Sequence, residues 1–148
     1  MKTLIVIALV FLALSHHAHA DEFVRVKDIW INEAPPTIRV FAGYMTIENH
    51  SDEEIMLINA TSPVFEKIEF HQTRYENGMA TMNRQENIII PAGDVLTFSP
   101  GGYHLMLFNN NLPITASDNL LISLEFANGI KKTVTAEIRK HTAVSHHH

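Results

Sequence analysis

Two histidines and two methionines, His71, Met82, His104 and Met106, carry the side chains in this chain best suited to metal chemistry. Thioether sulfur is a soft donor that selects Cu(I), and imidazole also suits copper. A site of two thioethers and two neutral imidazoles has no formal charge, so it would suit a monovalent soft ion better than Ca²⁺, Mg²⁺ or Zn²⁺. The sequence contains no cysteine, so methionine is the only sulfur donor in it.

His104 and Met106 lie in a segment whose residues predict a β-strand. Because successive side chains of a strand point to opposite faces, these two should share a face, with their Cα atoms about 7 Å apart. Tyr103, Leu105 and Leu107 would then point into the core. The strand would hold His104 and Met106 as a pair of ligands on a rigid element.

The other two candidates lie earlier in the chain. His71 is predicted at the end of an apolar strand, and Met82 follows a predicted loop at Glu76-Asn77-Gly78. Strand pairing could bring both beside the 104/106 pair, but nothing local requires it. Each member also has a simpler explanation, since methionines often pack in cores or cover apolar surface and a histidine at a strand end is often solvated.

The rest of the chain reads as short strands separated by turn residues. Pro91–Asp94 and Pro100–Gly102 interrupt apolar runs, and Gly101-Gly102 would let the backbone approach another segment closely. The clearest pattern is the alternation of apolar and polar residues on both sides of Asn128-Gly129, which predicts a hairpin with a type I′ turn. No segment has a long helical period, so we expect one all-β domain, a sandwich or a barrel.

The N-terminus predicts export. Lys2, the apolar run from Leu4 to Leu14 and the small-residue site Ala18-His19-Ala20 have the order of a secretory signal peptide, which we expect to be cleaved after Ala20. The apolar run is too short to span a membrane. With no cysteine after it, we expect no lipid anchor. The predicted product is a soluble, monomeric, periplasmic domain of residues 21–140 with a flexible tail, 141–148.

Composition argues against several function classes. The formal net charge is −5, whereas nucleic-acid binding needs a basic face. The chain has no cysteine nucleophile, no nucleophile elbow and no glycine-rich phosphate loop. A blue-copper centre needs a thiolate, and a metal saturated by His and Met has no open position for substrate. We therefore expect a protein that carries an ion and is not an enzyme.

The spacing of the four candidates resembles a known pattern. Ten residues separate His71 from Met82, twenty-one separate Met82 from His104, and one separates His104 from Met106. This spacing matches the motif of the PCu(A)C-type periplasmic copper chaperones. The segments 43–49, 88–93 and 100–107 resemble that family as well. The similarity extends over residues 21 to about 138.

The resemblance implies a cupredoxin-like Greek-key β-sandwich that binds Cu(I) through His71, Met82, His104 and Met106. It also implies a role in supplying copper to the CuA centre of cytochrome c oxidase, often beside a Sco-type thiol protein. One position departs from the pattern, because many members have a second methionine where this chain has Ala80. Met79 is nearby and could be a spare donor, but we do not expect it to be a ligand.

Three alternatives remain at this stage. The domain could be an extracytoplasmic interaction module with packing methionines, or a copper-buffering or resistance protein. The C-terminal residues His141 and His146–His148 could bind Cu(II), because imidazole clusters do so. They could equally be an uncoordinated tail or the remains of a purification tag.

Overall fold

The computed structural model describes residues 23–140 and has ten strands, most of which contribute alternating apolar side chains to one core. The strands are β1 (Val24–Asn32), β2 (Val40–Asn49), β3 (Ile55–Thr61), β4 (Phe65–Glu76), β5 (Met79–Gln85), β6 (Ile88–Ile90), β7 (Val95–Phe98), β8 (Tyr103–Asn110), β9 (Asn119–Phe126) and β10 (Lys131–Arg139). No membrane-spanning helix is present among the described residues. The predicted signal peptide, residues 1–20, and the predicted tail, 141–148, lie outside them.

The strands are hydrogen-bonded in the order β5-β4-β8-β7-β2-β1-β10-β9-β3-β6, and β8 also pairs with β2. Most pairs are antiparallel, whereas β1–β10 and β7–β8 are parallel. The inward side chains of β1–β4 and of β8–β10 meet in a single apolar cluster. The predicted fold, an all-β, cupredoxin-like Greek-key β-sandwich, is confirmed.

β8 is packed as its alternation predicts. Leu105 and Leu107 are fully buried, and Tyr103 packs against the core. The neighbouring strand β2 contributes Gly43 opposite Leu105. A Cβ at Gly43 would lie 3.2 Å from the Leu107 side chain, so glycine permits this close approach of the two strands. β8 is therefore held firmly while its other face remains available to carry ligands.

The C-terminal hairpin of β9 and β10 is confirmed, but its predicted type I′ turn is wrong. A type I′ turn needs positive φ at both central residues, and here only Gly129 has it. The Asn128 side chain accepts a hydrogen bond from the Ile130 N–H at 3.1 Å. This Asx-type bond and the Gly129 N–H···O=C Phe126 bond make a longer turn that ends in a left-handed glycine.

The β4–β5 hairpin corrects one further expectation, the position of His71 in its strand. β4 continues five residues beyond His71, to Glu76, so His71 is not at a strand end. Met82 lies inside β5. The predicted loop between them is a tight two-residue turn, because Asn77 and Gly78 have φ of 52° and 78°, as a type I′ hairpin requires. The candidate ligands thus lie on paired strands whose register fixes their relative positions.

Candidate metal centre

The pairing of β4 with β8 brings the two candidate histidines together. His71 is directly opposite His104, and Glu69 is opposite Met106. Directly opposed residues in an antiparallel pair share a face. The two imidazole rings lie with their centroids 5.9 Å apart and their planes at 31°.

His104 is buried, with 5% of its surface exposed. Its Nδ1 lies 3.1 Å from the carbonyl oxygen of Gly102. A carbonyl can only accept, so Nδ1 carries the proton and Nε2 of the neutral ring has the free lone pair. Burial lowers the pKa of His104, the Gly102 hydrogen bond partly opposes this, and nearby His71 lowers the pKa further. The neutral, metal-binding form of this ring is therefore favoured.

Gly101 and Gly102 make the close approach that the sequence predicts. The Gly102 carbonyl also accepts a hydrogen bond from the Thr73 N–H at 3.0 Å, which ties the extension of β4 to the start of β8. Gly101 has a φ of +85°, and a Cβ there would lie 3.8 Å from the Tyr75 ring. One carbonyl thus fixes both the ring of His104 and the base of the β4–β5 hairpin.

In His71 it is Nε2, and not Nδ1 as in His104, that is held by a hydrogen bond. Its Nε2 lies 2.9 Å from Oε2 of Glu69. Lys67 at 2.8 Å and Arg84 at 3.6 Å both contact Oε1 of the same carboxylate. The hydrogen bonds from Lys67 and His71, with the charge of Arg84, lower the pKa of Glu69 to about 2. The ionised carboxylate can only accept, so His71 donates through its Nε2–H.

The second nitrogen of His71 is the least satisfied group at this site. Nδ1 is buried and has no hydrogen-bond partner within residues 23–140. Leaving a buried acceptor unpaired costs about 1–3 kcal/mol, so such an atom needs an explanation. A metal ion bound to its lone pair would supply one, and a neutral imidazole nitrogen fits Cu(I) by donor type.

Met106 lies where its sequence position predicts. It is two residues after His104 on β8, on the same face, and it is partly buried. Its neighbours across the sheet are Glu69 on β4 and Ala42 on β2. Because Met106 is a diagonal neighbour of His71, it lies within the reach of long side chains across the strand pair. His71, His104 and Met106 therefore form one cluster.

Met82 belongs to the same face but lies farther out. It is opposite Thr73 on β5, the edge strand, and is 55% exposed. As a diagonal neighbour of His71 its Cα is about 7–8 Å from that of His71. In a flat sheet Met82 and Met106 would be roughly 16 Å apart at Cα, since two strand spacings and four residues separate them. The backbone thus brings three candidates together and leaves the fourth to one side.

Met79, the other methionine of the hairpin, has a different position. It pairs with Glu76, three residues beyond Thr73, so it lies on the opposite face of the hairpin from Met82. Ala80 pairs with Tyr75 and is on the same face as Met82. The side chain of Met79 does not point toward the His71–His104 pair.

Sequence reasoning missed Glu69, Lys67, Arg84 and the Gly102 carbonyl. The signal for Glu69 was available, because residues i and i+2 of a strand share a face and Glu69 precedes His71 by two. The role of Arg84 depends on the register of β5 against β4, which the sequence does not reveal.

Residues 24–138 match the family model described as "LpqE-like: Putative lipoprotein LpqE-like". The chain belongs to the LpqE-like family. Two curated relatives are similar to this LpqE-like chain: "Putative lipoprotein Lxx21020" of Leifsonia xyli subsp. xyli and "Uncharacterized protein RP573" of Rickettsia prowazekii. The first is 27% identical over 117 residues, which cover 78% of this chain and 69% of the relative. The second is 29% identical over 112 residues, covering 71% and 62%.

Solved structures show the same fold. The Cu(I)-bound DR1885 protein from Deinococcus radiodurans is 30% identical with a TM-score of 0.66, covering 84% of this chain and 83% of that one. The copper-bound PCuAC domain from PmoF2 is 20% identical with a TM-score of 0.68, covering 80% and 93%. The LpqE-like chain thus has the fold of PCuAC domains.

Proposed function

We propose that this protein is a periplasmic Cu(I) chaperone that binds one ion through His71, His104, Met106 and Met82. The observation that carries the proposal is the paired imidazoles. One has a buried nitrogen without a hydrogen-bond partner in the described part of the chain, the other has its lone pair on Nε2, and a thioether lies on the same face. Two neutral nitrogens and soft sulfur make a donor set for Cu(I). The Cu(I)-bound relative DR1885 and the copper-bound PmoF2 domain support this choice of metal.

Met82 completes the site through movement of the β4–β5 hairpin. The described hairpin residues beyond Thr73 and Met82 are exposed on both faces, so few packing contacts resist bending there. Bending toward β8 would bring the Met82 sulfur toward His71. Since Met82 is on the edge strand, it is also the first ligand that a partner could replace.

Transfer by ligand exchange follows from this arrangement. Three donors are held by the sheet, and one reaches the ion from an exposed edge. An oxidising compartment consumes free thiols, whereas thioethers bind Cu(I) without forming disulfides. The recipient we propose is the CuA centre of cytochrome c oxidase, directly or with a Sco-type protein. Export follows from the predicted signal peptide, and the "lipoprotein" descriptions of the family and of the Leifsonia relative also support a location outside the cytoplasm.

A titration against a Cu(I)-specific chelator tests ion binding. We expect one Cu(I) per chain, and His104→Ala and Met106→Leu should each weaken binding strongly. His50→Ala is the matched control, because His50 also bonds a glutamate but lies outside the cluster. Wild-type affinity in both site variants would end the proposal.

Deleting the gene tests delivery separately. Loss of cytochrome oxidase activity at low copper, restored by added copper, is the result expected of a delivery protein. Sensitivity to high copper with normal oxidase activity would instead assign a buffering role to the same site.

A further inference from the structure

We infer that Glu69 and the Gly102 carbonyl fix the two histidines in opposite tautomers, so that Cu(I) is bound by Nδ1 of His71 and by Nε2 of His104. The inference rests on the proposed function and specifies how that site binds its ion. Glu69 acts through His71 and is a positioning residue.

Glu69 is itself held in place. Its Oε2 accepts from His71 Nε2 at 2.9 Å, and its Oε1 is engaged by Lys67 and Arg84. The side chain is only 10% exposed. A carboxylate with both oxygens engaged has little freedom to release the ring. His71 is therefore oriented with Nδ1 as the nitrogen that has a lone pair.

His104 is fixed by the backbone instead. Its Nδ1 donates to the Gly102 carbonyl, whose position is set by the Thr73 N–H. Both orienting groups lie two residues before their histidine, but one is a side chain that contacts Nε2 and the other a carbonyl that contacts Nδ1. The pair is consequently asymmetric although the two residues are directly opposed.

Removing Glu69 should lower the affinity for Cu(I) by a measurable amount. Without Glu69 the ring of His71 can populate both tautomers and rotate, and Lys67 and Arg84 lose the carboxylate that they contact. Loss of such an outer partner lowers metal affinity about 10–100-fold. The Gly102 carbonyl cannot be removed by a side-chain substitution. Of the two orienting groups, Glu69 is therefore the one that mutation can test.

Long-range ¹H–¹⁵N correlation spectra of the ¹⁵N-labelled protein test the inference at neutral pH. Copper-free protein should have the proton on Nε2 of His71 and on Nδ1 of His104. Adding Cu(I) should change the ¹⁵N chemical shifts most at Nδ1 of His71 and at Nε2 of His104, while the opposite nitrogen of each ring keeps its proton. Glu69→Leu should give mixed tautomers at His71, leave His104 unchanged and weaken Cu(I) binding about 10–100-fold. Glu69→Gln keeps one acceptor oxygen and should keep the tautomer with a smaller loss.

Glu48→Leu is the matched control. It removes the carboxylate that bonds His50 in the same way, so only His50 should change and Cu(I) affinity should remain. A proton on Nδ1 of His71 in the wild type, or loss of the proton from its Nε2 when Cu(I) is added, would overturn the inference without any variant. A wild type that binds no Cu(I) but has the expected tautomers would end the proposed function and leave the tautomer assignment standing.

Discussion

Two groups of a lysine, a glutamate and a histidine lie in different regions of this molecule. Lys67, Glu69 and His71 are on β4, and the second group is Lys27 on β1 with Glu48 and His50 at the end of β2. In both, the histidine Nε2 is 2.9 Å from the glutamate Oε2. In both, the hydrogen bond from the lysine is the main cause that lowers the pKa of the glutamate.

The two histidines differ in what surrounds the rest of the ring. The His71 side chain is 14% exposed, and its ring lies beside His104. His50 is 50% exposed and lines a surface cavity of about 580 Å³ together with Asp52, Glu53 and Glu54. A carboxylate–imidazole bond therefore does not by itself make a metal site. What distinguishes the first group is a buried second nitrogen that shares a face with another imidazole and a thioether.

The largest expected effect on Cu(I) affinity comes from removing His71, and removing His50 serves as the comparison. His71→Ala deletes a proposed ligand and should weaken Cu(I) binding by more than the 10–100-fold typical of losing an outer partner. His50→Ala should leave affinity unchanged. Competition with a Cu(I) chelator measures both, and an equal loss in the two variants would remove the distinction between the regions.

Asn49, beside the second group, should matter for stability and not for copper. Its amide donates to the carbonyls of Glu53, Ile90 and Pro91 at 2.7–3.1 Å, and its Oδ1 accepts from Ser51. Asn49→Ala removes the hydrogen bonds of a fully buried side chain, among them the buried bond to Ile90, and should lower the free energy of unfolding by about 1–3 kcal/mol. Urea unfolding and Cu(I) titration of the same variant check this. A large copper effect with native stability would contradict the structural role.

The two methionines of the β4–β5 hairpin, Met79 and Met82, test which face of the edge strand contributes a ligand. Met82→Leu removes a proposed ligand on the site face and should cost about 10-fold in Cu(I) affinity, or ~1.4 kcal/mol. Met79→Leu changes the opposite face and should cost nothing, although Met79 is the more exposed at 68%. The chelator titration that tests the histidines applies here too. A loss in Met79→Leu alone would mean that the hairpin presents its other face to the ion.

The smallest expected effect is on acid stability. Glu69 and Glu48 have folded-state pKa values below the ordinary 4.5, and that of Glu69 is about 2. Each contributes stability above pH 4.5 that is lost as pH falls toward its folded value. Glu69→Leu should therefore flatten the decline in unfolding free energy between pH 4.5 and 2 more than Glu48→Leu does. Chemical denaturation across that range measures the slopes, and identical slopes in wild type and both variants would be inconsistent with these shifts.

Much of the fold follows from local sequence patterns. The alternation around Leu105 and from Leu120 to Phe126 identifies buried strands because one face of each is apolar. β5 has no such pattern, since nearly all of its residues are exposed on both faces. The turn residues Asn77-Gly78 were the available signal for it, and they form the type I′ turn that Asn128-Gly129 does not.

Some features of the site likewise follow from local sequence, whereas others depend on long-range strand pairing. The shared face of His104 and Met106 follows from strand periodicity alone. His71 and His104 are more than thirty positions apart in the chain, and their contact depends on the pairing of β4 with β8. The engagement of Glu69 by Arg84 likewise depends on the register of β5. Such long-range pairings leave little trace in a single sequence.

X-ray absorption at the copper edge of the Cu(I)-loaded protein tests directly whether imidazole nitrogen and thioether sulfur bind the same ion. We expect a first shell containing both nitrogen and sulfur, with the sulfur contribution reduced in Met106→Leu and unchanged in Met79→Leu. A first shell of nitrogen and oxygen without sulfur, or one that Met106→Leu leaves intact, would contradict it.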